Sequence, residues 1–378
     1  MKSILTSAAI LCAACLICGP ATAGEYDKYL WETPRVKDID ARKAAPMVEE
    51  LDREVQKILA TGSLAPLRLT YADLTVEAYW LYYERGRIIT TLAYAYPHVD
   101  KARQEGIRKY VGELLAKDSD APWTPGIKKR DEGVSRQLHG MQIAEGPYVD
   151  AKNCPTLHVL YGLWLYGDRT GDWDAIKESW PKIAAFYAAN AGTNILYGQM
   201  SAHIAMARLA KRFDDAKTQT LAEESLAKDF AAGQDPATIE ARVKKTRFGK
   251  FYDERGAFAF AGQPWMFLDA SPEVMRFVKD NIKGEAVKRI DAMEKTYPAW
   301  WLAQAPYFTR WTGDEGVGTP SEIFGMIFPV ERWVKDTPSD TLAKYMRSIP
   351  TGVGDCYWLE SLVQAIEANG TLKWERAE

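Results

Sequence analysis

Two kinds of helical segment alternate along this chain, and their contrast limits the folds open to it. "PTLHVLYGLWLYG" and "GQMSAHIAMARLA" are apolar or small on nearly every face. A helix of that kind is buried all round. "DWDAIKESWPKIAAFY" and "AEESLAKDFAAG" are amphipathic, with one face for a core and one for water. Apolar residues at three- and four-residue spacing recur in "AAPMVEELDREVQKILA", "TVEAYWLYYERGRIITTLAYAY", "GIRKYVGELLA", "SPEVMRFVKDNI", "EAVKRIDAMEKTY", "SEIFGMIFPVERWV" and "CYWLESLVQAIEA". Few segments alternate as a half-buried strand does. The pattern predicts an all-α fold in which buried helices line a cavity and half-exposed helices wrap them. No low-complexity linker or compositional break divides the chain, so one domain is the simplest reading.

The N-terminus reads as a targeting segment. Lys2 precedes an apolar run from Ile4 to Cys18, and Ala21-Thr22-Ala23 has the small-x-small pattern of a signal-peptidase site. Residues 1–23 are therefore expected to be a signal peptide, leaving 24–378 as a secreted or periplasmic product. The run is too short to span a membrane in the mature protein, and no second run is long enough. The spacing around Cys12, Cys15 and Cys18 fits a lipoprotein signal poorly.

Removing Lys2 turns 48 basic residues into 47, against 51 acidic ones, a net charge of −4. That balance argues against general nucleic-acid binding, which shows a basic excess. Of five cysteines, only Cys154 and Cys356 lie beyond the signal segment. An oxidising compartment permits a bridge between them; two buried thiols are the alternative. No Cys/His spacing resembles a zinc site. There is no glycine-rich phosphate loop in a βα setting, no G-x-S-x-G elbow and no H-E-x-x-H helix, which disfavours nucleotide, α/β-hydrolase and common zinc-peptidase chemistry. Aromatic content is high, at 13 Trp, 19 Tyr and 12 Phe, and some of it belongs to the core. Pyranose rings present a flat C–H surface that stacks on such side chains.

"TLHVLYGLWLYGDRTGDWDAIKESWPKIAAFY" carries a resemblance. A buried helix ends in "YGDRTGDWDAI" and "WPKI" follows in the outer helix, with Gly171 ending one helix, Asp172 placed to cap the next, and Trp180 and Pro181 packing against the ring. This resembles the α/α-toroid carbohydrate-active enzymes, which include six-hairpin glycosidases and many polysaccharide lyases. The resemblance implies an (α/α)6 or (α/α)7 toroid. Within that group the chain is most similar to polysaccharide lyase family thirty-eight, which acts on mannuronan- or glucuronan-like glycans. Both hydrolysis and elimination occur on this scaffold, so the fold does not decide the chemistry.

β-Elimination needs a neutralised uronate carboxylate, a base for the C5 proton and an acid for the departing O4. A tyrosine serves when neighbouring cations depress its pKa of about 10. Arg, His and Asn can hold the carboxylate and the charge that develops beside it. "KKTRFGKFYDERG" is the densest basic run with an aromatic inside it. The resemblance implies Tyr252 for proton transfer, with Arg247 and His203 as charge stabilisers and Arg255 as a substitute for Arg247. A solvated loop is the alternative for this run. Asn153 in "VDAKNCPT" is the amide candidate, with a turn or helix cap as its alternative. His203 shares a helical face with Leu196, Met200 and Ala207; it is either a core histidine or a group facing the cavity.

His139 in "RQLHGMQ" sits beside Gly140 at a helix end and is available for substrate binding, whereas His158 suits a core and His98 in "AYPHVD" a surface loop. In "QAPYFTRWTGDEGVGTPSE", Tyr307, Arg310 and Trp311 suit a neighbouring sugar. The same loop supports a hydrolase alternative. Inverting glycosidases need two carboxyl groups about 6.5–9.5 Å apart. Asp314 or Glu315 could pair with Glu145 or Asp355, although such acids also cap helices. A non-catalytic glycan-binding toroid is the remaining alternative. The expected partner is an acidic polysaccharide or oligosaccharide. No organic cofactor or metal is implied, and the sequence does not set the oligomeric state.

Overall fold

The structure is a computed structural model that describes residues 24–62, 64, 85–117, 157, 159–191, 197–235, 237–238, 241, 265–296, 301, 320–347 and 355–377. The expected signal peptide lies outside them. The chain is predominantly helical, as the periodicity predicts. Its helices are α1 (Asp27–Trp31), α2 (Ala41–Thr61), α3 (Arg85–Ala95), α4 (Lys101–Ala116), α5 (Val159–Thr170) and α6 (Trp173–Asn190). They continue with α7 (Tyr197–Arg212), α8 (Ala216–Gly233), α9 (Pro272–Thr296), α10 (Pro320–Trp333), α11 (Ser339–Arg347) and α12 (Cys356–Glu367). No described helix is long and apolar enough to cross a membrane.

The two helix classes separate in space. α3, α5, α7 and α12 are buried almost throughout, as are the described side chains of α10 and most of the first half of α9. The buried helices contact one another in chain order, α3 to α5, α5 to α7, α7 to α9, α9 to α10 and α10 to α12, and α12 returns to α3. The amphipathic helices pack outside: α2 and α11 on α12, α6 on α5, and α8 on α7.

Short connections follow the C-terminal ends of the buried helices. Two residues join α5 to α6, three join α7 to α8, and five lie between α3 and α4 and between α10 and α11. Gly171 makes the first possible: its φ of +73° is left-handed backbone that glycine enters without penalty. Its N–H closes α5 by donating to the Gly167 carbonyl. Asp100 and Asp215 cap the outer helices α4 and α8 through the amides of Arg103 and Thr218. Asp172 departs from its expected role. It stands before α6, but its carboxylate accepts the Tyr166 hydroxyl at 2.7 Å and makes no cap bond. Trp180 packs as expected, buried against Phe213 with its indole N–H on Asp215.

The segments at 271–282 and 285–297 remain two helical stretches within α9, separated by non-helical backbone at Ile282 (φ −134°, ψ 26°). One departure follows from tertiary context. A two-stranded antiparallel ribbon, β1 (Glu32–Lys37) with β2 (Thr371–Arg376), joins the two ends of the described chain in the register Glu32 to Arg376. Arg35 fastens it to the C-terminal end of α5 through a two-pronged ion pair with Asp168, both contacts at 2.6 Å. Each strand is six residues long and its partner is over three hundred residues away, so local periodicity carried no sign of it.

Gly162 marks the closest approach within the buried set. A Cβ there would stand 2.0 Å from Thr90 Oγ1 and 3.0 Å from the Thr90 backbone. Gly162→Ala is therefore expected to force α3 and α5 apart and destabilise the fold by about 1–3 kcal/mol. An unchanged denaturation midpoint would contradict that contact.

Candidate functional site

Residues from the N-terminal halves of the buried helices gather near Asp269, which stands just before α9. Arg87 is the third residue of α3, Tyr161 the third of α5, and Tyr357 the second of α12. Gly198 of α7 has no side chain because a Cβ would stand 2.7 Å from Asp269 Cβ. Ser201 of α7 donates to the Asp269 carbonyl at 3.1 Å and accepts the Ser271 amide just before α9. Gly325, the sixth residue of α10, lines the same cavity, where a Cβ would stand 2.6 Å from the Tyr357 ring. Asp269 itself has a φ of +62°, an uncommon conformation for a non-glycine residue, held here by packing on every side.

A cavity of about 40 Å³ opens among these residues, lined by Arg87, Thr90, Tyr94, Tyr161, Asp269, Tyr357 and Glu360 among others. It has room for a water and not for a sugar ring. Arg87, 1% exposed, sits at its centre. Its guanidinium pairs with the Asp269 carboxylate, reaches Glu360 at 3.2 Å, donates to the Tyr357 hydroxyl at 2.9 Å and lies 4.1 Å over the Tyr357 ring. The Tyr357 hydroxyl donates in turn to Asp269 at 3.1 Å, and Thr91 donates to Glu360 at 2.9 Å.

A second buried ion pair stands behind the first. Tyr161 donates to Glu273 at 3.0 Å, and Arg208 holds the other Glu273 oxygen at 2.9 Å while donating to the carbonyls of Leu30 and Glu32. Two cations thus face three carboxyl groups in a core shielded from water. Burial pushes the Glu360 carboxyl up to about 7, with Asp269 adding to the rise and Arg87 opposing it. A proton on Glu360 leaves the core balanced. Burial lowers the Arg87 pKa, but the charges of Asp269, Tyr357 and Glu360 outweigh it and hold the guanidinium charged.

His203 is not part of this cavity, which corrects the cavity-facing expectation. It is fully buried, but its imidazole points toward the outer layer. Nδ1 meets the Tyr187 hydroxyl of α6 at 2.7 Å, and Nε2 lies 3.3 Å from Asp229 of α8 and 3.2 Å from Gln199. A tyrosine does meet the histidine, but from an outer helix.

Asp355, a hydrolase candidate, is fully buried at the N-cap of α12, where it accepts the Trp358 amide at 3.0 Å. Cys356 is a buried free thiol, the alternative to a bridge, and burial pushes this thiol well up. His98 is not on a surface loop. Its side chain is 9% exposed and pairs with buried Glu367 at 3.1 Å. Tyr252, Arg247, Asn153, His139, Tyr307, Arg310, Arg255, Trp311, Asp314, Glu315, Glu145, His158 and Cys154 lie outside the described residues. In chain order they all fall in segments that lead into a buried helix: 117–158 into α5, 234–271 into α9 and 297–319 into α10.

The sequence reading missed Arg87, Asp269, Tyr357 and Glu360. A signal existed for two of them: Arg87 and Glu360 are charges inside segments apolar on every other face, and such charges are rarely buried without a partner. Among the described residues, no group of three or more His, Cys, Asp or Glu side chains is placed to hold a metal ion. No family model, no curated protein and no solved structure matches this chain.

The raised Glu360 pKa fixes a pH dependence. Native Glu360 keeps a proton that an unfolded chain releases at its ordinary value of 4.5. Its contribution is full below about 4.5 and is lost as pH rises through about 7, a swing of up to ~3 kcal/mol. Unfolding free energy measured from pH 4 to 8 should fall with pH in the native chain relative to Glu360→Gln. A constant difference between the two would rule the shift out.

Proposed function

We propose that the six buried helices form the inner ring of an α/α toroid, and that the protein is a carbohydrate-active enzyme cleaving a uronic-acid-containing glycan by β-elimination. The observation that carries this reading is the closed sequence of contacts among the six buried helices, with α3, α5, α10, α12 and the Asp269–Ser271 segment before α9 lining one cavity. A helix N-terminus contributes a partial positive charge along its axis, although Asp355 caps the amides that open α12. An end built that way favours an anionic substrate and the charge that develops on its carboxylate during reaction.

The roles divide by depth. Arg87, Asp269, Tyr357 and Glu360 form the floor, too enclosed to meet a sugar. The residues that would meet it belong to the segments leading into α5, α9 and α10. Tyr252 removes the C5 proton; the C4–O4 bond breaks as the C4–C5 double bond forms, and the leaving oxygen takes a proton. Arg247, with Arg255 as its substitute, and Asn153 neutralise the carboxylate. His139, Tyr307, Arg310 and Trp311 bind neighbouring sugars. His203 positions α7 against the outer helices and takes no part in the chemistry. The expectation of a secreted or periplasmic enzyme belongs to the same proposal.

A hydrolytic reading draws on one observation, the protonated Glu360 beside Asp269, which resembles the acid half of a carboxyl pair. Its other acids, Asp314, Glu315 and Glu145, sit in the same leading segments, while Asp355 is engaged as a helix cap.

Incubation with mannuronan and glucuronan separates these readings. Elimination generates the ultraviolet absorbance of an unsaturated uronide. New reducing ends without that absorbance would mean hydrolysis, and binding without new ends would mean a glycan-binding protein. Tyr252→Phe is expected to slow elimination by about 10²–10⁴-fold. Near-native turnover in that variant would remove Tyr252 from its role.

A further inference from the structure

We infer that the opposite end of the buried helices carries a second binding site, for a short acidic oligosaccharide. α7 runs from the central cavity at Gly198 to Lys211 and Arg212 in its last turn. That is about 20 Å at 1.5 Å per residue. There a cleft of about 510 Å³ is lined by Trp31, Arg208, Lys211, Arg212, Arg376 and Ala377, a volume within the ~300–1,000 Å³ usual for small-molecule sites.

Three cations around this cleft have no anionic partner among the described residues. The Lys211 ammonium lies 4.2 Å over the Trp31 ring and the Arg212 guanidinium 4.0 Å over the Trp173 ring. Arg376 ends β2 opposite Glu32. The Glu32 carboxylate is taken by Arg276 at 2.7 Å, and Arg208 is committed to Glu273 and two carbonyls. Cations in the last turn of a helix are favoured by its dipole alone. That does not account for Arg376, which belongs to a strand, nor for the gathering of all three at one concave surface, where they repel each other. A bound anion offsets that repulsion. The partly buried Trp31 indole, beneath Lys211, adds apolar surface to the wall of the same cleft. Carboxylates on a pyranose backbone match that mixture of cations and apolar surface.

The acidic-sugar identity rests on the proposed function, whereas the anion site does not. Titration calorimetry on the full chain tests both, using an unsaturated diuronate with cellobiose and inorganic sulfate as comparators. The diuronate should bind at least ~10-fold more tightly than cellobiose. Lys211→Gln/Arg212→Gln, and separately Arg376→Gln, should each weaken it by ~10-fold or more while leaving turnover of the polymer unchanged. Equal binding by the variants and the native chain overturns the site. Sulfate binding as tightly as the diuronate overturns the sugar assignment. Absence of elimination on any uronan, with diuronate binding intact and lost in the variants, would sink the proposed function and leave this site standing.

Discussion

Arg87 fastens the centre of this molecule. Its guanidinium joins α3 to Asp269, ahead of α9, and to Glu360 and Tyr357 of α12. Asp269 then touches α7 through Gly198 and Ser201. A buried charge is costly unless paired and hydrogen-bonded, so these helix ends are held at one place by groups that cannot part cheaply. Tyr161, Glu273 and Arg208 extend the network from α5 through α9 to α7 and on to the carbonyls beside the ribbon.

The geometry gives the molecule two unlike ends. Where α5, α9 and α10 begin, the long segments 117–158, 234–271 and 297–319 lead in. Where α3, α5, α7 and α10 finish, the turns are short, and α7 ends in Lys211 and Arg212 beside Arg376.

The division into buried and half-exposed helices was legible in the sequence, because all-round apolarity in "GQMSAHIAMARLA" leaves no alternative to burial. Gly171 was legible too, as a helix end that only left-handed backbone allows. The direction in which His203 points was not. Its apolar face is compatible with a cavity or with an outer layer, and only the approach of Tyr187 and Asp229, from helices sixteen and more residues away, decides it. Asp269 carried no local sign, since its importance comes from the residues of other helices that gather near it. The thiol of Cys356 was legible as buried or bridged, and its position in the first turn of α12 placed it in the core.

The central claim is that Arg87, Asp269 and Glu360 act as one unit at the meeting point of the buried helices. A thermodynamic cycle on unfolding free energy tests it directly. Arg87→Met in the native background should cost about 3–5 kcal/mol, because it strands buried carboxyl groups. The same substitution in a chain already carrying Asp269→Asn and Glu360→Gln should cost less by ~1–3 kcal/mol. Equal costs in the two backgrounds, within ~0.5 kcal/mol, would mean that the three side chains are independent and that the helices are held together without them.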